Sequence, residues 1–412
     1  MAPSEPRDEG GAHVRTWAFA ALLASLSMLG PFAIDMYLPA FDAISAEFAA
    51  SQLAVQQTLS VYLFAYAFMM LWHGALTDAF GRRPIVLGGL AIYAIASLGC
   101  AIAGNIESLW LFRTLQGISA GAGLVVGRAI VRDRFQGAEA QRLMSQITLV
   151  FGVAPALAPV VGGAVLNVFG WRSIFVVMLV STLALLAWTL HGLPETLAPI
   201  HRQPLRARVL ARNYKAVTLR PEFLLLAAIP TLNFAAFFIY IAGAPAFLGR
   251  LGVSTWGFAW LFIPMITGVM TGAAISGRIA GRISAPRTVA AGFACMFAGA
   301  LAGLVVASWV PPSVPWHVLP ITVVTLGSSL MMPTITLLLL DLFPAMRGLA
   351  SSLQGFVQFA FSGVVAGTIA PLLTTSLTAL AAGMLLFTAA SYGAWRLYLR
   401  RAPHRKGRWH TG

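Results

Sequence analysis

Apolar runs of roughly 20 residues alternate along this chain with short intervals that hold nearly all of its charge. A helix of about 20 apolar residues crosses a hydrocarbon core about 30 Å thick. Runs of that length fall near residues 16–37, 52–74, 84–103, 108–128, 143–166, 172–191, 222–243, 255–277, 287–308, 316–340, 348–371 and 376–398. The pattern predicts an all-α integral membrane protein with twelve transmembrane helices. Arg7 and Arg15 precede the first run as they would a signal peptide. The run is long for such a segment and no small-residue cleavage site follows it, so it is expected to stay as the first span.

The longest polar interval, from His201 to Glu222, divides the spans six and six. The expected organisation is a tail (1–15), a first six-helix half (16–191), a basic linker (192–221), a second half (222–398) and a basic tail (399–412). The linker is expected to carry a surface helix on the inner leaflet. Two matches at an offset near 200 suggest parallel repeats around a central pathway: Asp78–Arg83 against Arg278–Ile283, and Asp133–Phe135 against Asp341–Phe343.

Composition agrees with the membrane reading. Hydrophobic residues make up 58% of the chain and charged residues 10%, too little polar surface to coat a soluble globule of 412 residues. A net charge of +14 invites a nucleic-acid reading, which needs a soluble basic face. Here 24 of the 27 Lys and Arg residues fall on one side once both termini are placed in the cytoplasm. The charge therefore orients the protein by the positive-inside rule, and no nucleic-acid partner is expected. Cys100 and Cys295 lie inside apolar runs and match no disulfide or metal framework.

Covalent chemistry has no visible equipment. The histidines sit in tails, the linker or at span edges, and no phosphate-binding P-loop string is present, so no cofactor or metal is expected. Energy must then come from a gradient, and a proton gradient needs a membrane carboxylate. Away from the loops, Asp35 is the one acid that qualifies. Burial disfavours an ionised carboxyl and a nearby guanidinium favours it, so a conformational change altering either can load or release a proton. Arg113 is the basic residue available for that swing, and it shares one helical face with Gln116, Gly117 and Ala120. Counted at 1.5 Å per residue from Arg15, Asp35 falls near the outer boundary, roughly 30 Å along. The alternative is a hydrated outer-edge acid beside Asp42 and Glu47.

Other residues follow from spacing. Asp78 ends a helix, where an acid opposes the macrodipole and calls for a compensating partner. Gly74 and Gly81 allow close packing and a tight turn, and Arg82 and Arg83 anchor the inner face. Pro155, Pro159, Gly162 and Gly163 are expected to bend the fifth helix and let a neighbour approach. Candidate cavity residues are Asn233, Phe237 and Tyr240, then Gln354 and Gln358, then Tyr62 and Tyr66, with Gln116. Stripes of this kind also serve helix packing. The scarcity of fixed charge argues against a strongly anionic substrate.

The string GALTDAFGRRP, Gly74 to Pro84, resembles the signature loop between helices two and three of the major facilitator superfamily. That resemblance implies a twelve-helix fold in two pseudo-symmetric halves. It also implies that Asp78 faces Arg347–Ser352 and helps hold an inner gate shut. LWLFRTLQGISAGAG, Leu109 to Gly123, resembles the family's helix-four motif around Arg113, and APALAPVVGG, Ala154 to Gly163, its helix-five antiporter motif with alanines at two glycine positions. DMYLPAF, GWRSIF and LPET look like the bicyclomycin-resistance and chloramphenicol-efflux subfamily of drug:proton antiporters. The implied function is proton-coupled export of small, mostly apolar drugs across a bacterial inner membrane by alternating access, by a monomer. The rivals are the same fold moving a sugar or amino-acid derivative, and a non-transporting membrane sensor.

Overall fold

A computed structural model describes residues 9–135, 143, 157–202, 204–253, 257–280, 282–344 and 346–401. Among these residues every regular element is helical. The first group is α1 (Glu9–Asp35), α2 (Phe41–Phe48), α3 (Gln52–Phe80), α4 (Arg82–Ala101) and α5 (Ile106–Arg134), then α6 (Leu157–Phe169) and α7 (Arg172–Gly192). The amphipathic α8 (Ala207–Thr218) leads to α9 (Pro221–Ala242), α10 (Ala244–Arg250), α11 (Phe258–Ile279) and α12 (Ala285–Trp309). The chain closes with α13 (Leu319–Leu340), α14 (Arg347–Val364), a π turn (Val365–Ile369), α15 (Ala370–Leu373) and α16 (Leu377–Arg401). Eleven described segments are long and apolar enough to span a membrane, and α6 is the described end of the fifth predicted span. The protein is a multi-pass membrane protein.

Local sequence explains where the helices start and stop. Asn105 and Ser108 form a reciprocal capping box that opens α5, and Ser51 caps α3 through the N–H of Ala54. Between α3 and α4 the chain reverses at Gly81, whose φ of 101° is open to glycine and strained for other residues. Around these elements, α5 packs on α1, α3 and α4, and α7 packs on α4; α13 runs between α11 and α12, and α16 lies against α9 and α12.

The first span is longer than the expected 16–37. It continues through a 3-10 turn (Leu38–Ala40) into α2, and spans Ala18–Phe48. Pro39 does not end it, because a proline in the first turn of a helix removes an N–H that has no partner there anyway. Asp35 therefore stands about 20 Å from the Phe48 end, within the span and not at its edge. The acids at that edge have other work: Glu47 pairs with Arg172 and accepts the indole N–H of Trp171 at 2.5 Å.

At the end of the bundle near Ser51, α3 is stitched to the second group of helices by neutral side chains. Gln56 donates to the carbonyl of Ala242 at 3.2 Å, Gln57 to Gly367 at 2.8 Å and Ser60 to Gly363 at 2.7 Å. The opposite end, which carries Arg82, Arg83 and the basic α8, is open. There Tyr214 of α8 donates to the carbonyl of Leu71 at 2.8 Å. Burial pushes the Tyr214 phenol up to about 12, so it remains a donor at physiological pH.

Candidate functional site

Between the two groups of helices lies a cavity of about 1450 Å³ that runs from Asp35 to the basic end. Pro31, Ile34 and Asp35 form its depth on α1; Phe234, Phe237 and Phe238 on α9 and Phe359 on α14 supply aromatic wall. Neutral polar groups come mostly from the second group: Ser328 and Ser329 on α13, Gln354 and Gln358 on α14. The two glutamines bond each other at 3.0 Å. Asp78, Arg82 and Asp133 face Gly348, Ser351 and Ser352 across the mouth, with α8 beside it.

Asp35 is 5% exposed. No hydrogen bond or ion pair holds its carboxyl among the described residues. The helix loosens into a turn immediately after it, at Met36 and Tyr37, so the acid stands at an interruption of the span. Interrupted helices of this kind build the ion sites of many transporters.

Arg113 is fully buried, as its cost in lipid requires, but it is not paired with Asp35. Its guanidinium lies between the rings of Tyr37 and Tyr62, 4.6 and 4.4 Å from their centroids, and donates to Gln116 Oε1 at 2.8 Å. Desolvated cation–π contacts are worth about 2 kcal/mol each. Nε and Nη2 of Arg113 have no hydrogen-bond partner. Gln116 in turn donates to Ser97 at 2.9 Å. The Arg113–Ala120 face, from which Gln116 was expected to reach the cavity, instead packs into the first group of helices. Tyr37 and Ser97 were missed by sequence reasoning because each comes from a different helix.

Among the expected cavity residues, Phe237, Gln354 and Gln358 line the cavity. Tyr62, Tyr66, Gln116, Asn233 and Tyr240 do not. Tyr62 donates to Gly30 and stacks on Arg113, Tyr66 meets Phe359 edge-to-face at 4.7 Å, and Tyr240 packs on Phe247. Asn233 turns to Met331 inside the second group, and its Oδ1 is unsatisfied. A helical stripe fixes a shared face; which neighbour that face meets is decided by the packing.

The expected gate is unlatched. Asp78 pairs with Arg82 at 2.5 Å, and Arg347 with Asp341 at 3.3 Å; no ion pair joins Asp78 to Arg347–Ser352 among the described residues. The open mouth separates them. Arg82 also bonds Asp133 at 3.1 Å and Thr77 at 2.7 Å, and Arg83 donates to the carbonyl of Leu190. Gly74 faces the cavity with open space where a Cβ would stand, which corrects its reading as a close-packing position.

Glu195, in the LPET string, was not assigned a role and proves to brace this loop. Its carboxylate accepts the N–H groups of Arg82 at 3.0 Å and Arg83 at 3.3 Å, the first of α4, where a helix welcomes an anion. Partial burial pulls its pKa upward, but the backbone N–H groups of Leu197, Arg82, Arg83 and Thr196 prevail and hold it below the ordinary value of 4.5. A depressed carboxyl contributes stability above its unfolded pKa and loses it as pH falls through the folded one. Glu195→Gln is expected to destabilise by about 1 kcal/mol at pH 7, as loss of a helix cap does. The gap to wild type should close as the pH drops below about 4, measured by thermal unfolding in detergent.

In the fifth helix, Pro155 lies outside the described residues. Pro159, Gly162 and Gly163 lie in α6. A Cβ built on Gly162 would stand 2.1 Å from the carbonyl oxygen of Met36, so this glycine lets α6 touch the turn that follows Asp35.

The sequence profile described as Major Facilitator Superfamily matches residues 23–368. A bicyclomycin resistance protein homolog of Haemophilus influenzae is 34% identical over 249 residues, 60% of this chain and 63% of that protein. A chloramphenicol resistance protein of Pseudomonas aeruginosa is 33% identical over 251 residues, 60% of this chain and 58% of that protein. The chain thus spans less than two thirds of the length of these relatives. A crystal structure of a bacterial homolog to the human lysosomal transporter Spinster, inward-facing and occupied, matches with a TM-score of 0.72 over 97% of this chain and 98% of that one. Its 17% identity speaks to the fold alone.

Proposed function

The chain belongs to the Major Facilitator Superfamily, and from that premise we propose that it is a drug:proton antiporter of a bacterial inner membrane. It exports small, mostly apolar compounds by alternating access, with both termini and the open end of the cavity in the cytoplasm. The resistance proteins it resembles support the drug reading, and the positive-inside distribution supports the orientation.

The observation that carries the proposal is Asp35, the one buried acid lining the cavity among the described residues, which has no ion partner among them in a large aromatic-walled space. Such a carboxyl changes charge when its surroundings change. In the cytoplasm-open state it holds a proton brought in from outside and gives it up as drug enters; in the outward-open state it is reprotonated as drug leaves. Arg113, caged by Tyr37 and Tyr62, supplies a fixed positive field in the neighbouring helices. Asp78, Arg82 and Arg83 close the inner mouth in the other state, and α6, packed against the first span at Gly162, accommodates the motion.

Inverted membrane vesicles given an inside-acid pH gradient should accumulate a fluorescent lipophilic cation or a phenicol when they contain the protein, and not when they lack it. Accumulation of neither compound, nor of others in a drug panel, would favour the metabolite reading.

A further inference from the structure

Building on the drug reading of the cavity, we infer that the linker helix α8 forms a second, shallow drug subsite at the inner mouth, separate from Asp35. It takes uncharged, mostly apolar compounds that carry a hydrogen-bonding group. Expected on the inner leaflet, α8 instead turns its apolar face into the cavity: Val209, Leu210, Asn213 and Tyr214 share one side of the helix and all line it, with Leu205 just before. The basic residues Arg208, Arg212 and Lys215 are exposed on the opposite side. Tyr214 ties the inner face to α3 through the carbonyl of Leu71, and α8 also packs on α9 and α14, so the helix is held from both groups across the mouth.

The cavity has room for two stations. Its volume of about 1450 Å³ exceeds the roughly 300–1,000 Å³ of a drug-sized pocket. Asp35 lies about 25 Å along the first span from Ala18, whereas Leu71 is only about 14 Å from the Phe80 end of α3, so α8 meets the cavity nearer the cytoplasm. Chemistry at this end names the ligand. Leu205 and Val209 are 39% and 37% exposed, apolar surface that gains by being covered. Asn213 is half-buried and its amide has no hydrogen bond among the described residues, leaving it free to donate and to accept. The charges in this part of the wall balance, Arg82 and Arg206 against Asp78 and Asp133, so an ion gains nothing there from net charge.

Photolabelling of the full-length protein in detergent with a diazirine-bearing phenicol, read by peptide mass spectrometry, tests the subsite. Label that excess phenicol competes away should appear at Val209 or Asn213 and not at Arg208, Arg212 or Lys215. Competed label confined to the deep wall around Phe237 would overturn the inference and leave the drug reading standing. No competed label anywhere also overturns it, and the vesicle accumulation assay then shows whether the drug reading falls with it. In the same vesicles, Asn213→Ala should raise the KM for the phenicol about fivefold, the worth of one neutral hydrogen bond, and leave unchanged that of tetraphenylphosphonium, which can form none. A loss of packing alone would move both. Equal rises for the two compounds, or no rise for the phenicol, would contradict a drug contact at Asn213.

Discussion

Asp35→Asn should end pH-gradient-driven accumulation of drug in inverted vesicles while leaving drug binding intact. Across about 2 pH units, one coupled proton is worth about 2.7 kcal/mol, or about 100-fold in accumulation, and the variant should show none of it. Asparagine keeps the shape and the hydrogen-bonding capacity of the side chain and loses only its ability to take up and release a proton. Drug binding, read by quenching of a fluorescent substrate in detergent, should persist, because the cavity wall is mostly aromatic, aliphatic and neutral polar. Undiminished gradient-driven accumulation in the variant would remove Asp35 from the coupling.

The second large effect is expected from Gly162→Val. Its Cβ would stand 2.1 Å from the carbonyl oxygen and 2.9 Å from the carbonyl carbon of Met36, and backbone atoms cannot swing aside as a flexible side chain can. Either α6 leaves the first span or the turn after Asp35 is displaced. Overpacking costs about 1–3 kcal/mol and occasionally more, and a backbone-to-backbone clash belongs at the upper end. The thermal midpoint in detergent should fall clearly, and transport with it. Gly74→Ala is the control: its Cβ enters open cavity, so its midpoint should match wild type.

Both predictions turn on geometry that was only partly legible in the sequence. Membrane spans are legible because lipid offers backbone groups no partners and so demands long apolar helices. Gly81 was readable for a related reason, since a helix reversal of one residue needs a φ few residues tolerate. The depth of Asp35 was not readable. The first apolar run was expected to close at residue 37, and only the buried continuation through Leu38 and Ala40 shows that the span runs on to Phe48. The partners of Arg113 were equally hidden: a solitary acid and a solitary base invite pairing, but two tyrosines from two other helices reach the guanidinium instead. The gate was unreadable for another reason. Which residues Asp78 meets depends on which way the cavity opens, and a sequence encodes both states of a transporter at once.

Asp133 and Glu195 show what sequence signal was available and unused. Each lies in a string picked out for resemblance, and each turns out to bond the Arg82–Arg83 pair. Two adjacent arginines with their own backbone N–H groups at a helix start call for acids, and those acids were present in the next loops.

Proton release on drug binding tests the coupling most directly. Purified protein in weakly buffered detergent with a pH indicator, held at a pH where its drug affinity rises about tenfold per pH unit, should release about one proton per drug bound. Asp35→Asn should bind drug and release none. Equal release from wild type and variant would contradict the assignment of the proton to Asp35.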